Sequence, residues 1–466
     1  MSNKKSSQIS DHFTLGKLLL FALPTVITLL FGSVYGIVDG IFVSGVGGNE
    51  AFAAINLASP IFAILASLGF MFGTGGTALV SKILGEGDGE RANGVFSLIT
   101  YSMIIVGIVF TIIAEIFYEP ALVALGAKEE MMPYCLTYGR IIIPFLTFFM
   151  LQFFFQSFMP TAGKPKFGLV VTLIAGFTNI IGDAILVGVV AKGSSDVPNF
   201  AVAGAAIATA AGLLLGGIIP FIFFIRKNSS TLRLGKPFME LKNVLKTCTN
   251  GMSEFLSNVS ASIVSTVYNG ILLYYIGTNG VSAYGAIGYL NTIFMAIFMG
   301  FSIGVSPIVG YNYGSQNHDE LKSVFKKSLI IITCFSVGMF LISEFLAAPL
   351  SSLFIHGTDE NAKALFELTV NGFSIFAVSF MLKGFNTYGS AFFTALNNGF
   401  VSGLLSVLRA LVFGILSVIF VPLLFLAIGG ENAGIDGIWW AATFAEGLAL
   451  IVTIIFLIAN KKKYNY

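Results

Sequence analysis

Acidic side chains inside apolar stretches are the groups in this chain whose types and spacing could do chemistry. Asp39 lies in the apolar run from Leu18 to Ser44, and Asn179 and Asp183 are four residues apart in GFTNIIGDAILV. Residues four apart share one face of a helix. A carboxylate at the centre of a membrane helix costs about 2.5 to 3.5 kcal/mol on insertion scales. Acids retained at that cost indicate a functional site.

The chemistry that these oxygens predict is cation binding. Two carboxylates and an amide supply the hard oxygen ligands that suit Na+, whereas two adjacent acids in a medium of low dielectric can share a proton. Thr209, in GAAIAT, could add a hydroxyl or simply bond its own backbone. We predict a cation-coupling site with possible Na+ at Asp39, Asn179 and Asp183, H+ as the alternative coupling ion, and no cofactor.

Further ionisable residues lie inside apolar segments of the second half of the chain. Glu254, in NGMSEFLSNVSASIVSTVYNG, is predicted to be a second cation-coupling acid, with an acid at the membrane interface as the alternative. Lys383, in AVSFMLKGFNTYGS, either faces a cavity and pairs with Glu254 or reaches an aqueous rim through its long stem. Arg409 is expected to be structural, and Glu446 to be a packing or gating acid of unknown partner.

The run MLQFFFQSFM, which begins at Met150, is rich in aromatic and methionine side chains. Such side chains form adaptable apolar surfaces that suit varied flat molecules. Phenylalanine is abundant throughout the chain, so packing against lipid is the alternative for most of these rings. The side chains predicted to line a substrate cavity are Tyr35, Met150, Phe153, Phe154, Gln156 and Lys383.

The composition identifies the elements that must hold these residues. The chain has 466 residues, 56% hydrophobic and 10% charged, whereas soluble domains are about one quarter charged. This predicts a multi-pass membrane protein with the lipid bilayer as a partner. The net charge of +2 gives no reason to expect nucleic acid. Its three histidines, including His356, and its three cysteines lack metal-ligand spacing, and no P-loop occurs, so an enzyme is not expected.

Twelve apolar segments predict an all-α integral membrane protein with twelve transmembrane helices. Pro24 removes a backbone hydrogen bond within the first helix, so a bend or hinge is expected there. The predicted segments are 15–43, 51–82, 93–118, 132–160, 167–191, 201–225, 246–276, 281–313, 321–347, 363–395, 400–427 and 436–460.

Basic residues predict the orientation of these helices. Nineteen Lys and Arg, among them Lys4 and Lys5, fall on one side of the predicted spans, against three on the other. Because basic residues favour the cytoplasmic side, both termini are predicted to be cytoplasmic in the plasma membrane. No removable signal peptide is expected.

An internal repeat predicts two lobes. Asp39-Gly40-Ile41 aligns with Asn269-Gly270-Ile271 at an offset of 230 residues. The repeat implies two six-helix lobes related by a pseudo-twofold axis along the membrane normal. We predict an N-terminal lobe at 1–225, a cytoplasmic linker at 226–245 and a C-terminal lobe at 246–466. Pro24 aligns with Glu254 in this repeat.

Several stretches resemble the multidrug and toxic compound extrusion family, the MATE transporters of the MOP superfamily. They are Pro24 with Asp39, Gly73-Thr74-Gly75 with LVSKILGEGDGERA, NIIGDAILV with GAAIAT, PIVGYNYGS and GIDGIWWAATFAEG. The TALNNGF turn is similar to the DinF-like and MepA-like branches. The resemblance implies the twelve-helix, two-lobe fold. It also implies a cation site at Asp39, Asn179, Asp183 and Thr209, with Glu254 as the acid of helix seven. An acid expected in helix ten of NorM-like members is absent near Lys383.

The resemblance implies secondary active efflux, in which small amphiphilic, mostly cationic compounds leave the cell in exchange for H+ or Na+. A monomer is expected. A lipid-linked flippase of the same superfamily is the nearest alternative, and it would need a more cationic central cavity. An intramembrane prenyl-group transferase is a further alternative, but no Asp-x-x-x-Asp pair occurs inside a predicted helix.

Overall fold

Apolar segments of this length fold as helices in a bilayer because a helix satisfies its backbone hydrogen bonds internally. The computed structural model describes residues 9–352, Ile355 and 360–466, and in these ranges it is all-α. Eleven helices are long and apolar enough to cross a membrane, or twelve if the bent pair in the tenth span counts as one. The predicted all-α membrane fold is confirmed. Lys4, Lys5 and His356 lie outside the described residues.

The helices extend beyond most of the predicted segments because polar first and last turns continue them past the apolar core. The two parts of α10 are bent by 48° where they meet. The bounds are α1 Leu15–Gly48, α2 Glu50–Gly85, α3 Gly89–Ala124, α4 Met132–Thr161, α5 Pro165–Gly193, α6 Val197–Ile225, α7 Leu241–Tyr275, α8 Thr278–Gly314, α9 His318–Ser352, α10 Glu360–Ala377 with Phe380–Ala395, α11 Gly399–Gly429 and α12 Ala433–Tyr464.

Glycines with positive φ end two corresponding helices. Gly48 has φ 78° between α1 and α2, and Gly277 has φ 83° between α7 and α8. A residue with a Cβ is strained in this conformation, so glycine allows the chain to reverse with almost no loop. The two glycines are 229 residues apart, close to the offset of the sequence repeat.

The linker between α6 and α7 is shorter than predicted and packs closely. α7 begins at Leu241, so the linker runs from residue 226 to 240 rather than to 245. Leu232 is fully buried, the backbone N–H of Phe238 donates to the carbonyl of Gly94 at 3.0 Å, and that of Gly235 donates to Ser97 Oγ at 2.9 Å. The linker therefore lies against α3 and α6 of the N-terminal half.

The two halves of the chain meet backbone to backbone at one end of the bundle. We call this the basic end, because it carries Lys82, Lys164 and the terminal lysines that begin at Lys461. A Cβ on Gly251 of α7 would lie 1.8 Å from the carbonyl oxygen of Met71 in α2. Only glycine permits helices to approach this closely.

A reciprocal pair of contacts joins α2 to α8 at the same end. A Cβ on Gly85 would lie 2.1 Å from the carbonyl oxygen of Tyr311, and one on Gly314 would lie 2.0 Å from that of Lys82. Each partner is 229 residues from its counterpart, so the contact has the symmetry of the repeat. The halves are closed against each other at the basic end.

A short segment before α1 ties the N-terminal half to α9. Phe13 is fully buried, and its backbone N–H donates to Glu320 Oε1 at 2.9 Å, while His12 Nδ1 lies 2.6 Å from Glu320 Oε2. The Lys327 ammonium donates to the carbonyl of Phe13. Phe13, Leu18 and other early residues share one hydrophobic cluster with residues of α8 to α12.

The glycine contact between α2 and α7 predicts a selective loss of stability. We expect Gly251→Ala to lower the midpoint of thermal unfolding in detergent by several degrees, because overpacking costs about 1 to 3 kcal/mol. Gly270→Ala is the matched control on the same helix, since nothing lies within 4 Å of its Cβ position. A Gly251→Ala protein as stable as Gly270→Ala would contradict the close contact.

The contact of Glu320 predicts how firmly the N-terminal segment is held. Glu320→Ala leaves the buried N–H of Phe13 without its acceptor, at a cost of about 1.5 kcal/mol. We expect proteolysis within the first residues to be about tenfold faster in Glu320→Ala. Glu344→Ala, which changes an exposed acid on the same helix, is the control. Equal cleavage rates in the two variants would show that Glu320 does not hold the segment.

Candidate cation site

Small residues bring α1, α5 and α6 together around the predicted acids. A Cβ on Gly176 of α5 would lie 2.4 Å from the ring of Phe31 in α1. On the other face of α5, Gly182 packs against Ala208, and Gly212 of α6 packs against the carbonyl of Ala175. Each approach is possible because one of the two facing residues is a glycine. They position the polar side chains of three helices within one part of the N-terminal half.

The structure brings the four predicted residues of the site together. Asn179 and Asp183 are 2% and 0% exposed, and Asn179 Nδ2 donates to Thr209 Oγ1 at 3.2 Å. The carboxyl groups of Asp39 and Asp183 are close enough to interact with each other. Two ionised carboxylates are acceptors only, so a hydrogen bond between them requires a proton.

Several buried oxygens at the site have no donor among the described residues. They are Oδ1 of Asp39, both carboxylate oxygens of Asp183 and Oδ1 of Asn179. A buried acceptor without a partner costs about 1 to 3 kcal/mol. A proton held between the acids, or a cation bound by all three residues, would satisfy these oxygens.

The acids that could bind a metal ion are few. In the described part of the chain, no group of three or more His, Cys, Asp or Glu is placed to hold one. A cation at Asp39 and Asp183 would therefore depend also on the amide of Asn179 and the hydroxyl of Thr209. Such a donor set of modest negative charge fits H+ or a monovalent ion.

Two polar residues near the acids were missed at the sequence level. Tyr138 of α4 lies near both Asp39 and Asp183, and Gln152 interacts with Tyr35, which lies near Asp39. A glutamine within an apolar membrane helix was a signal that could have identified Gln152. Tyr35, predicted to line a substrate cavity, thus lies beside the cation site.

The predicted substrate surface in α4 is partly wrong. Met150 and Phe154 are fully buried in the hydrophobic core of the N-terminal half, because that face of α4 packs between α2 and α6. Phe153 is half-buried and stacks on Phe70 with ring centroids 4.2 Å apart. Gln156 donates to Thr172 at 3.3 Å and lines a small cavity of about 200 Å³. The spacing of the run did not reveal which face was internal.

The helix containing Pro24 continues through it. Across α1 and α2, from Leu15 to Gly85, the backbone departs from helical geometry at Gly48 and at no other position. The Thr28 hydroxyl donates to the carbonyl of Pro24 at 2.8 Å. The role of Pro24 as a bend or hinge stays a prediction.

The buried charges of the C-terminal half pair differently from the prediction. Lys383 Nζ donates to Asn291 Oδ1 at 2.8 Å, and no ion pair within the described ranges joins it to Glu254. The proposed Lys383–Glu254 pair is therefore wrong. The aqueous-rim alternative is wrong as well, since Lys383 is only 7% exposed.

The unknown partner of Glu446 is Arg409. Arg409 Nε lies 3.2 and 3.1 Å from the two Glu446 carboxylate oxygens. Asn386 Nδ2 donates to Glu446 Oε2 at 2.7 Å, and Arg409 also donates to the Thr387 hydroxyl at 3.0 Å. These bonds join α10, α11 and α12, as expected of a structural arginine.

Glu254 lines a cavity between the two halves. It is the one ionisable residue in a lining that otherwise consists of hydroxyl-bearing and apolar side chains. The described residues that line the cavity are Thr74, Thr77, Ser157, Glu254, Met299, Ser302, Ile303, Ser306, Thr387, Ala391 and Thr394. A carboxylate among hydroxyls can hold a cation that also donates hydrogen bonds.

Comparison with known proteins gives a consistent family. The model of the MatE family matches residues 24–185 and 253–420, which is more than half of the chain. A multidrug export protein MepA of Staphylococcus aureus is 26% identical over 449 residues, covering 95% of this chain and 93% of that protein. A MepA of Staphylococcus haemolyticus is 27% identical over 448 residues, with the same coverage.

Solved structures show the same fold. An outward-facing multidrug resistance MATE family transporter of the MOP superfamily superposes with a TM-score of 0.88 at 20% identity, covering 100% of this chain and 99% of that one. The two sequence segments that match the family model contain Asp39, Asn179, Asp183 and Glu254. The chain therefore belongs to the MatE family and has the twelve-helix fold of MATE transporters.

Proposed function

We propose that this protein is a secondary active multidrug efflux transporter that exchanges amphiphilic, mostly cationic compounds for H+ or Na+. The observation that carries the proposal is the pair formed by Asp39 and Asp183, in which Asp39 Oδ1 and both Asp183 oxygens are buried without a donor among the described residues. The names of the MepA relatives as multidrug export proteins support the same function. The protein acts as a monomer in the plasma membrane, with the basic end in the cytoplasm.

Coupling in this proposal comes from what the acids require. A proton or Na+ at Asp39 and Asp183 satisfies oxygens that otherwise have no partner, so its arrival changes which arrangement of the helices is favoured. Linkage requires that a substrate which binds one arrangement better weakens or strengthens cation binding by the same factor. Release of the cation to the cytoplasm and of the substrate to the outside then belong to one cycle.

Glu254 gives a cationic substrate a binding group that is separate from the cation site at Asp39 and Asp183. The cavity at Glu254 is lined by α2, α4, α7, α8 and α10, so it is divided when the halves separate. A cationic compound bound there would contact both halves at once, which is what alternating access requires of a substrate site. A lipid-linked flippase is disfavoured because the described lining of this cavity contains no Lys or Arg to hold a pyrophosphate.

Substitution of Asp39 tests ion coupling directly. We expect Asp39→Asn to reduce gradient-driven export at least tenfold in proteoliposomes, first under an imposed pH gradient and then under an imposed Na+ gradient. Asp196→Asn, which changes the exposed N-cap of α6 to another good capping residue, is the control. Export that is unchanged in Asp39→Asn would refute the assignment. A native protein that responds to neither gradient would revive the flippase.

Substitution of Asp183 tests whether the pair lacks a hydrogen-bond donor, and the test does not require a transport measurement. The amide of Asp183→Asn can donate to Asp39, so the variant no longer needs a shared proton or a bound cation. We expect its midpoint of thermal unfolding to equal or exceed that of the native protein, and to be insensitive to Na+ and to pH near neutrality. A variant that keeps the native dependence on Na+ or pH, with Asp196→Asn measured alongside, would show that the pair is not the cation site.

A further inference from the structure

Lys383 is a buried cation without an anionic partner. It lies in the second part of α10, is 7% exposed, and has no carboxylate oxygen within 4.0 Å among the residues that the structure describes. Lysine is almost never buried unless it is paired. The nearest ion-pairing acid, Glu446, is already held by Arg409 and Asn386. The contacts that Lys383 Nζ does make are with uncharged groups.

Two aromatic faces and an amide oxygen surround the Lys383 ammonium. Nζ lies 4.1 Å from the ring centroid of Phe376 and 4.8 Å from that of Phe380, and 2.8 Å from Asn291 Oδ1. Ring faces within about 6 Å attract a cation through their quadrupole, and more strongly when water is excluded. We call Asn291, Phe376 and Phe380 the ammonium cage.

The rings of the ammonium cage are packed against each other and against a buried neighbour. Phe380 is fully buried and packs edge to face against Phe294 with centroids 4.9 Å apart, and Phe376 packs against Phe380 at 5.7 Å. Asn291, in contrast, is half-buried. Rings that are held by such packing need little reordering when one ammonium replaces another.

We propose that the ammonium cage is a binding site for primary alkylammonium groups, and that the chain's own Lys383 fills it as an internal ligand. An amide acceptor and two ring faces match one N–H and the positive charge of such a group, and its alkyl tail would take the place of the Lys383 stem. The role in export rests on the proposed function: a filled cage directs cationic substrates toward Glu254 and the acids of the N-terminal half.

Removal and replacement of the lysine side chain tests the site without measuring transport. Lys383→Ala vacates the cage by removing three side-chain carbons and the ammonium, and n-butylammonium supplies the same ammonium on a chain one carbon longer. We expect millimolar n-butylammonium to raise the midpoint of thermal unfolding of Lys383→Ala by several degrees and to leave the native protein unchanged. The uncharged analogue 1-pentanol should not reproduce the rise.

Two further variants separate the cage from general effects. Lys363→Ala, which removes an exposed lysine from the same helix, should show no response to n-butylammonium. Phe376→Leu on the Lys383→Ala background should weaken the response threefold or more. If Lys383→Ala does not fold alone, its yield after purification with n-butylammonium should exceed that with 1-pentanol.

Outcomes that overturn the proposal are equal effects of n-butylammonium and 1-pentanol, or equal responses of Lys383→Ala and the native protein. Neither outcome depends on export. If Lys383→Ala responds to n-butylammonium in this way but the native protein transports nothing in proteoliposomes, the ammonium cage is supported and the proposed function is refuted. Enhanced export of alkylammonium compounds by Lys383→Ala would support both the ammonium cage and the proposed function.

Discussion

Two neighbouring carboxylates, with three buried oxygens that have no donor among the described residues, impose the constraint on which the rest of the structure depends. Asp39 and Asp183 are held together because Gly176, Gly182 and Gly212 let α1, α5 and α6 approach closely. In a medium of low dielectric, like charges at this range cannot both remain ionised without compensation. In the proposed function, this pair creates the need for a proton or a cation that is coupled to helix movement.

The basic end supplies the opposing feature, a tight closure between the halves. Gly251, Gly85 and Gly314 each bring the backbone of one half against the backbone of the other. Contacts made by backbone and glycine lose little side-chain entropy when they form, and they leave no large side chain to be rearranged when they part. The linker and the segment around Phe13 cover the same end. Closure there leaves the cavity at Glu254 between the halves.

The two halves share their architecture and differ in their charges. Residues 229 or 230 apart repeat the glycine reversals and the contact between α2 and α8. The N-terminal half holds the neighbouring acids Asp39 and Asp183, which in the proposed function take up a cation from solution. Inside the membrane spans, the C-terminal half contains the basic residues Lys383 and Arg409, and Arg409 pairs with the acid Glu446 whereas Lys383 donates to an amide. One scaffold thus carries an exchangeable charge in one half and fixed charges in the other.

The sequence by itself determined the apolar spans of the membrane fold, and it predicted the repeat and the residues of the candidate cation site. Hydropathy, fixed spacing along a helix and the cost of a buried acid are properties of a single segment, so Asn179 with Asp183 was predictable before any packing was known. The partners of Lys383 and Glu446, the inward face of α4 and the place of Tyr138 depended on tertiary structure. Each of these is set by which helices are neighbours and how they are rotated, and the spacing within one helix does not contain that information.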